Sequence, residues 1–404
     1  MKRFCYILAT MVLFTSCVKD DSDFNTLLQQ AEDAIMPIDI ALDYSDLTEE
    51  ADQVITDIDD PYYNDYVEND EFSRVVYIHY DGNNVTLDGE TSRVSISTSG
   101  AHVTISSTAG HMDYVLSGTS TDGSLKIYSD SKFKLTLNGV TLTNPTGAAI
   151  NDQCGKTVYL VLNNGTSNSL TDGASYAVTT GEQMKGAFFS EGQVVVSGSG
   201  SLNVNATGGH GIASDDYIRV RPGCKINVTT SAGHAIKAND GIFIDGGVLN
   251  LTVTGDGYKG LNSDMDVEVK GGRTTVITSG DSRITEQTLE TVADTSSCAG
   301  IKADGLVTIS GGTINIKSTG EGGKGINSVG NITITGGNVN VVATGTKVNS
   351  SPKGIKSDED INISGGKTYT YSRHGNPLDA NGTLTVATGY STYETHNHRI
   401  RIFY

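Results

Sequence analysis

Asp215, Asp216, Asn239, Asp240, Asp264 and Asp266 fall in three short groups that recur every 24 or 25 residues. Clustered carboxylate and amide oxygens are the donor set of a hard divalent cation, Ca²⁺ above all. Asp304 extends the series after a longer interval. A second series, Lys237, Asn262, Lys302, Asn327 and Lys356, keeps the same interval and lies two residues ahead of the first. Such lysines can hold an anionic ligand. Lys237 or Lys302, with its pKa lowered beside a cation, could also serve as a general base.

Residues 24 apart meet only if the chain returns to the same place on every repeat. The apolar residues that open each unit are Phe188, Ile212, Ile236, Leu261, Ile301, Ile326, Ile355 and Leu378, at steps of 24, 24, 25, 40, 25, 29 and 23. The long step holds an insertion, "DSRITEQTLETVADTSSC", over residues 281–298. In five units a Gly-Gly pair begins ten residues after the opener, at Gly246, Gly271, Gly311, Gly336 and Gly365. Apolar residues alternate before the pair (Val267 and Val269) and after it (Ile314 and Ile316). Each unit thus reads as strand, turn, strand, Gly-Gly turn, strand, turn.

A unit of ~25 residues cannot bury its own apolar face, and stacking solves that. The expected fold is all-β, a right-handed, single-stranded parallel β-helix with ~25-residue coils rising ~4.8 Å each. Propeller blades need 40 or more residues. Calcium-binding nonapeptide repeats of the GGxGxD type are absent.

Stacking turns sequence positions into columns. Three residues after each opener stand Glu191, Asp215, Asn239, Asp264, Asp304, Val329, Asp358 and Asn381. The lysine and asparagine series occupies the position after the opener, which faces the same side of an extended chain. Carboxylates one strand apart repel by roughly 3 kcal/mol at an effective dielectric of 20. Either the neighbouring lysines or bound Ca²⁺ must offset that. Two residues before the openers, His210, His234, Lys259, Lys324 and Lys353 form a further basic series.

The N-terminus reads as a targeting segment. Lys2 and Arg3 precede an apolar run from Phe4 to Phe14, and "LFTSC" ends at Cys17. Residues 1–16 match a lipoprotein signal peptide with Cys17 as the lipidated residue, although Phe14 stands where an aliphatic residue is usual. Residues 17–72 read as an acidic tether. Helical periodicity at Phe24–Ile35 and Leu47–Ile58 allows short helices there, and a disordered spacer fits equally well. The formal charge is −19, and residues 18–72, with 18 acids against one lysine, account for nearly all of it. That balance disfavours nucleic acid as a partner. Cys154, Cys224 and Cys298 follow no metal-ligand spacing and read as buried core residues. Residues 73–404 form the β-helix with a C-terminal cap.

"KLTLNGVTLTNPTGAAI", "NNGTSNSLTDG", "KGAFFSEGQVVVSGSGSLNV" and "GHGIASDDYIRV" resemble a family of bacterial calcium-binding, carbohydrate-binding parallel β-helix proteins related in fold to pectate lyases. The resemblance covers about residues 75–386. It implies Ca²⁺ at Asp215, Asp216 and Asp240 and binding of plant-wall polysaccharide of the polygalacturonate or cellulose type. Val329 interrupts the acidic column.

The expected function is therefore non-catalytic, Ca²⁺-dependent polysaccharide binding by a lipoprotein on the outer membrane or cell surface, within a glycan-capture system. One alternative is a polysaccharide lyase that uses a lysine base on a polyuronate. A second is an adhesin or structural rod whose columns serve stability alone.

Overall fold

The computed structural model describes residues 52–177, 179–284, 295–387, 390–395 and 398–403. Cys17, the signal segment and the periodicity at Phe24–Ile35 lie outside them. The chain divides into residues 1–46, also outside, and a compact unit of residues 47–404.

That unit is a parallel β-solenoid, and no α-helix occurs among its described residues. Each coil has three faces. The opener face stacks twelve strands, from Val94–Ser99 to Leu378–Ala380. A first corner leads to a middle face of short strands such as Gly241–Ile244 and Val267–Val269. The Gly-Gly corner leads to a back face of longer strands such as Val248–Val253 and Arg273–Thr278. A third corner returns the chain to the next opener.

The register is the one the sequence spacing predicts. Phe188, Ile212, Ile236, Leu261, Ile301, Ile326, Ile355 and Leu378 pair each with the next. The pairing of Leu261 with Ile301 spans the 40-residue step, so the insertion leaves the ladder intact. These openers point inward and are at most 5% exposed. Each fully buried aliphatic side chain contributes about 1.5–3 kcal/mol. The column of Ile, Leu and Val from all three faces is the core.

The corners explain the glycines. Gly312 has φ +76°, and a Cβ on Gly311 would lie 2.1 Å from the Lys270 carbonyl oxygen of the preceding coil. The pair therefore supplies both a left-handed conformation and a close inter-coil approach.

Both ends of the stack are closed by antiparallel strands. At the start, Arg74–Asp81 pairs with Asn84–Gly89, and Val94–Ser99 with Ala101–Ser107. At the finish, Tyr390–Thr395 and His398–Phe403 form a hairpin whose second strand pairs with Lys367–Ser372. These hairpins cover edges that would otherwise template further pairing.

The described part of the tether is not helical in the α sense. Residues 52–72 run irregularly through two 3₁₀ turns, Tyr63–Asp65 and Val67–Asn69. The apolar spacing at Val54, Ile55 and Ile58 is not expressed as a helix: Ile58 is 74% exposed, and it is the following residues that pack on the middle face. Tyr62 lies over Phe243 with ring centroids 6.3 Å apart, and Phe72 lies edge-on to Tyr159 at 5.5 Å.

Candidate functional site

The opener face carries the predicted columns in register. Lys126 pairs with Asn151, Asn151 with Phe189, and Ala213 with Lys237. The sequence Lys237, Asn262, Lys302, Asn327, Lys356 and Asp379 then follows one coil at a time. Lysine and asparagine alternate, so no two ammonium groups are adjacent in that run. Buried Asn327 Oδ1 has no hydrogen-bond partner.

The acidic column lies at the first corner, and the backbone stacks it too. The amide of Asp264 donates to the Ala238 carbonyl, that of Asp304 to Ser263, and that of Asp358 to Ser328. Its carboxylates meet cations. Asp215 pairs with Lys185, Asp264 with Lys237, Asp304 with Lys302 and Asp358 with Lys356. Asn239 Nδ2 donates to Asp215 Oδ1 at 3.3 Å. The repulsion expected along the column is thus offset by a lysine on the same or the neighbouring coil. Lys237 and Lys302 also donate to the Ala238 and Ala303 carbonyls, at 3.2 and 2.8 Å. A base must present a lone pair to its substrate, whereas both ammonium groups are committed as donors.

The other predicted ligands have local duties. Asp216 accepts the Gln193 amide and its neighbour's N–H from Tyr217 at 2.8 Å. Burial first, and the charge of Asp240 further down, raise its pKa. Asp266 Oδ1 accepts the Leu306 N–H of the next coil at 2.7 Å, and Asp360 Oδ1 likewise accepts Thr383 N–H at 2.6 Å. These two side chains staple successive turns. Asp240 is exposed at its corner. Among the described residues, no three His, Cys, Asp or Glu side chains converge to hold a metal ion. The column offers oxygen chemistry suited to Ca²⁺, but the protein alone supplies no closed cage.

The basic series before the openers sits at the third corner and is largely enclosed. His210 and His234 stack at 4.9 Å. His210 Nδ1 accepts the His234 N–H at 2.9 Å, and His234 Nδ1 accepts the Lys259 N–H at 3.0 Å. Accepting nitrogens require neutral rings. Burial holds His210 down to about 4 and His234 well below its ordinary value. Lys259 and Lys324 are buried and donate to hydroxyls, Lys259 to Ser296 at 2.7 Å and Lys324 to Ser297 at 2.6 Å. Burial lowers both to about 8. Arg283–Ile284 and Thr295–Ser296 form the paired base of the insertion at this corner. Residues 285–294 are outside the described set, so the insertion's reach over the ligand face is not part of the structure.

Two features escaped the sequence reading. Glu182 accepts Lys126 Nζ at 2.6 Å and the Tyr128 hydroxyl, closing a polar group at the head of the opener face. On the middle face, Arg219 and Arg221 are 2% and 1% exposed and both draw counter-charges from the tether, Arg219 pairing with Asp245 of the solenoid as well. Arg219 Nε is 2.8 Å from Asp65 Oδ2, and Arg221 is 2.7 Å from both Asp52 and Glu68. The signal was present in "YIRVRPG", where two arginines alternate with core residues in a nearly neutral solenoid.

Residues 99–294, 258–347 and 302–398 match the model of a family described as carbohydrate-binding domain-containing protein, which together exceeds half of the chain. A carbohydrate-binding domain-containing protein of Acetivibrio thermocellus is 30% identical over 114 residues, 27% of this chain. The match spans 40% of that relative's length. A solved polysaccharide lyase-like protein from C. thermocellum, a gadolinium derivative, aligns at 22% identity with a TM-score of 0.44, over 78% of this chain and 97% of that one.

Proposed function

The chain belongs to the carbohydrate-binding domain-containing family, and from that premise we propose that it binds polysaccharide along the opener face without cleaving it. The observation that carries this reading is the ladder itself. Lys237, Asn262, Lys302, Asn327 and Lys356 present donors and acceptors once per coil. A periodic surface suits a periodic polymer.

The charge of this face governs which polymers bind, and how. Asp215, Asp216, Asp240, Asp264, Asp266, Asp304 and Asp358 outnumber the lysines that pair with them. A polyuronate approaching such a surface is repelled unless a divalent cation lies between. Ca²⁺ would be held by exposed carboxylates of the column, Asp240, Asp264 and Asp304, together with carboxylates of the glycan. A neutral polymer needs no such bridge. A plant-wall glycan of either type is the proposed partner. Attachment through Cys17 to an outer membrane or cell surface completes the proposal.

Affinity electrophoresis in gels containing polygalacturonate or hydroxyethylcellulose, with Ca²⁺ and with chelator, tests it. Retardation in at least one gel is expected, and retardation by polygalacturonate should vanish with chelator. Absence of retardation in every gel refutes glycan binding. Release of unsaturated uronate from polygalacturonate would establish the lyase instead.

A further inference from the structure

The column three residues after the opener does not begin with its first acid. Ser95 pairs with Ser106, and Ser106 with Tyr128. Gln153 follows, its N–H donating to the Ile127 carbonyl at 2.8 Å, and Glu191 stands on the next coil. Over this head of the column lies an open groove of about 680 Å³, whose lining includes Arg93, Ser95, Ser106, Tyr128, Asp130 and Gln153.

The lining differs in kind from the ladder below it. It offers hydroxyls, one carboxamide, one phenol ring, one guanidinium and one carboxylate. Arg93 and Asp130 cancel in charge, and Lys126 is cancelled by Glu182. Nothing here repels a neutral ligand or attracts a polyanion. Tyr128 is half-buried and anchored through its hydroxyl to Glu182, so its ring is pre-positioned. A fixed aromatic ring beside hydroxyls matches a pyranose, which has apolar C–H faces and an equatorial rim of hydroxyl groups.

Arg93 adds an independent sign. Its φ is +63°, a left-handed conformation in a non-glycine residue. Such a residue costs on the order of 1–3 kcal/mol and is concentrated at ligand sites. The side chain is held by Nη2 donating to the Thr108 carbonyl at 2.6 Å. This hydrogen bond ties the exposed guanidinium to Thr108, itself part of the groove's lining.

We infer that this groove is a sugar-binding subsite for a neutral pyranose segment and that it works without a divalent cation. The inference rests on the polysaccharide-binding reading and deepens it. The head of the column would take uncharged sugar units, and only the acidic run beyond Gln153 would need a bridging ion.

The test is affinity electrophoresis of the full chain in hydroxyethylcellulose with chelator present. Wild type should be retarded. Tyr128→Ala should weaken binding at least tenfold, whereas Tyr128→Phe, which keeps the ring, should stay within about threefold. Arg93→Gly should weaken binding severalfold with an unchanged or raised melting temperature, because glycine adopts this φ freely. Lys225→Ala, at an exposed position of the back-face strand Lys225–Thr230, should leave neutral-glycan binding as it is. If Tyr128→Ala and Arg93→Gly both bind as wild type does, the subsite is wrong and the broader reading stands. Wild-type retardation by polygalacturonate alone overturns the neutral subsite in the same way. No retardation on either polymer under any condition removes the broader reading itself.

Discussion

The tether segment provides the sharpest quantitative test, because its attachment depends on charges that have left water. Arg219 has a side chain only 3% exposed, between Asp65 at 2.8 Å and Asp245 at 2.6 Å. Its guanidinium lies 4.5 Å from the Tyr62 ring and 4.9 Å from the Phe243 ring. Asp65→Ala removes one of two carboxylates and leaves the cation enclosed. Breaking a buried pair in this way costs about 3–5 kcal/mol. Asp245 remains, so the lower end applies, and about 3 kcal/mol corresponds to roughly a hundredfold change in an opening equilibrium. The solenoid need not unfold to relieve the cost, since undocking residues 52–72 lets water reach Arg219. Native-state hydrogen exchange should therefore show protection over residues 62–70 falling about a hundredfold, with opener-face amides such as Ile301 unchanged. Adding Arg219→Met should restore part of the loss, because the enclosed cation is then gone and Asp245 keeps Lys270 at 3.9 Å. Protection that stays within threefold of wild type in Asp65→Ala would refute the argument, as would a uniform loss across the solenoid.

Two further predictions concern titration. His210 and His234 are held neutral by burial, His210 down to about 4. Their contribution to stability is complete above the ordinary value of about 6.5 and is lost as pH falls toward 4. The melting temperature of wild type relative to the pair His210→Asn and His234→Asn should drop over that window, and a constant difference would count against the pair. Asp152 is fully buried, and burial raises it to about 8 even though Ser190 and Cys154 donate to it at 2.7 and 3.0 Å. A raised carboxylate makes the folded state the better proton acceptor, so Asp152 contributes stability that is lost as pH rises from 4 to 8, opposite in sign to the histidines where the two windows overlap. Asp152→Asn should remove that slope when unfolding is followed in urea, and an unchanged slope would count against it.

The fold was legible because its signal repeats. A single Ile-x-Ile segment is ambiguous, but openers recurring from Ile212 to Leu378 fix coil length, face and register together. Even the 40-residue step could be placed, since Ile301 resumes the phase that Leu261 leaves. The side-chain columns followed from the same phase, and Lys237, Asn262 and Lys302 stack as the spacing implies. Partnership was less legible. Whether Asp264 faces a cation or a lysine depends on the reach of Lys237 from the coil above, which spacing does not encode. Asp266 shares the column's composition but serves the Leu306 amide of the next turn. Contacts between unlike segments were invisible altogether. Nothing periodic links Asp65 to Arg219, 154 residues later, and the groove around Tyr128 precedes the regular repeat.

The placement of the acids sharpens what calcium would do. Asp264 and Asp304 each pair with one lysine, yet their side chains remain 52% and 53% exposed. They stand on successive coils, and no third acidic group converges on them among the described residues. Ca²⁺ takes six to eight oxygens, so two half-solvated carboxylates already shared with lysines form a weak site. Ca²⁺ added to the protein alone should therefore bind no tighter than about 1 mM, the weak end of the protein range. On the proposed reading an oligogalacturonide would supply the missing carboxylates, and binding of ion and sugar would then be coupled. Linkage requires the coupling to be reciprocal, so the factor by which Ca²⁺ tightens the sugar equals that by which the sugar tightens Ca²⁺. Calorimetric titrations run in both orders measure the two factors independently. Micromolar Ca²⁺ binding without glycan would mean that the protein builds its own cage. Oligogalacturonide affinity indifferent to Ca²⁺ would mean that the acidic corner is no part of the binding surface.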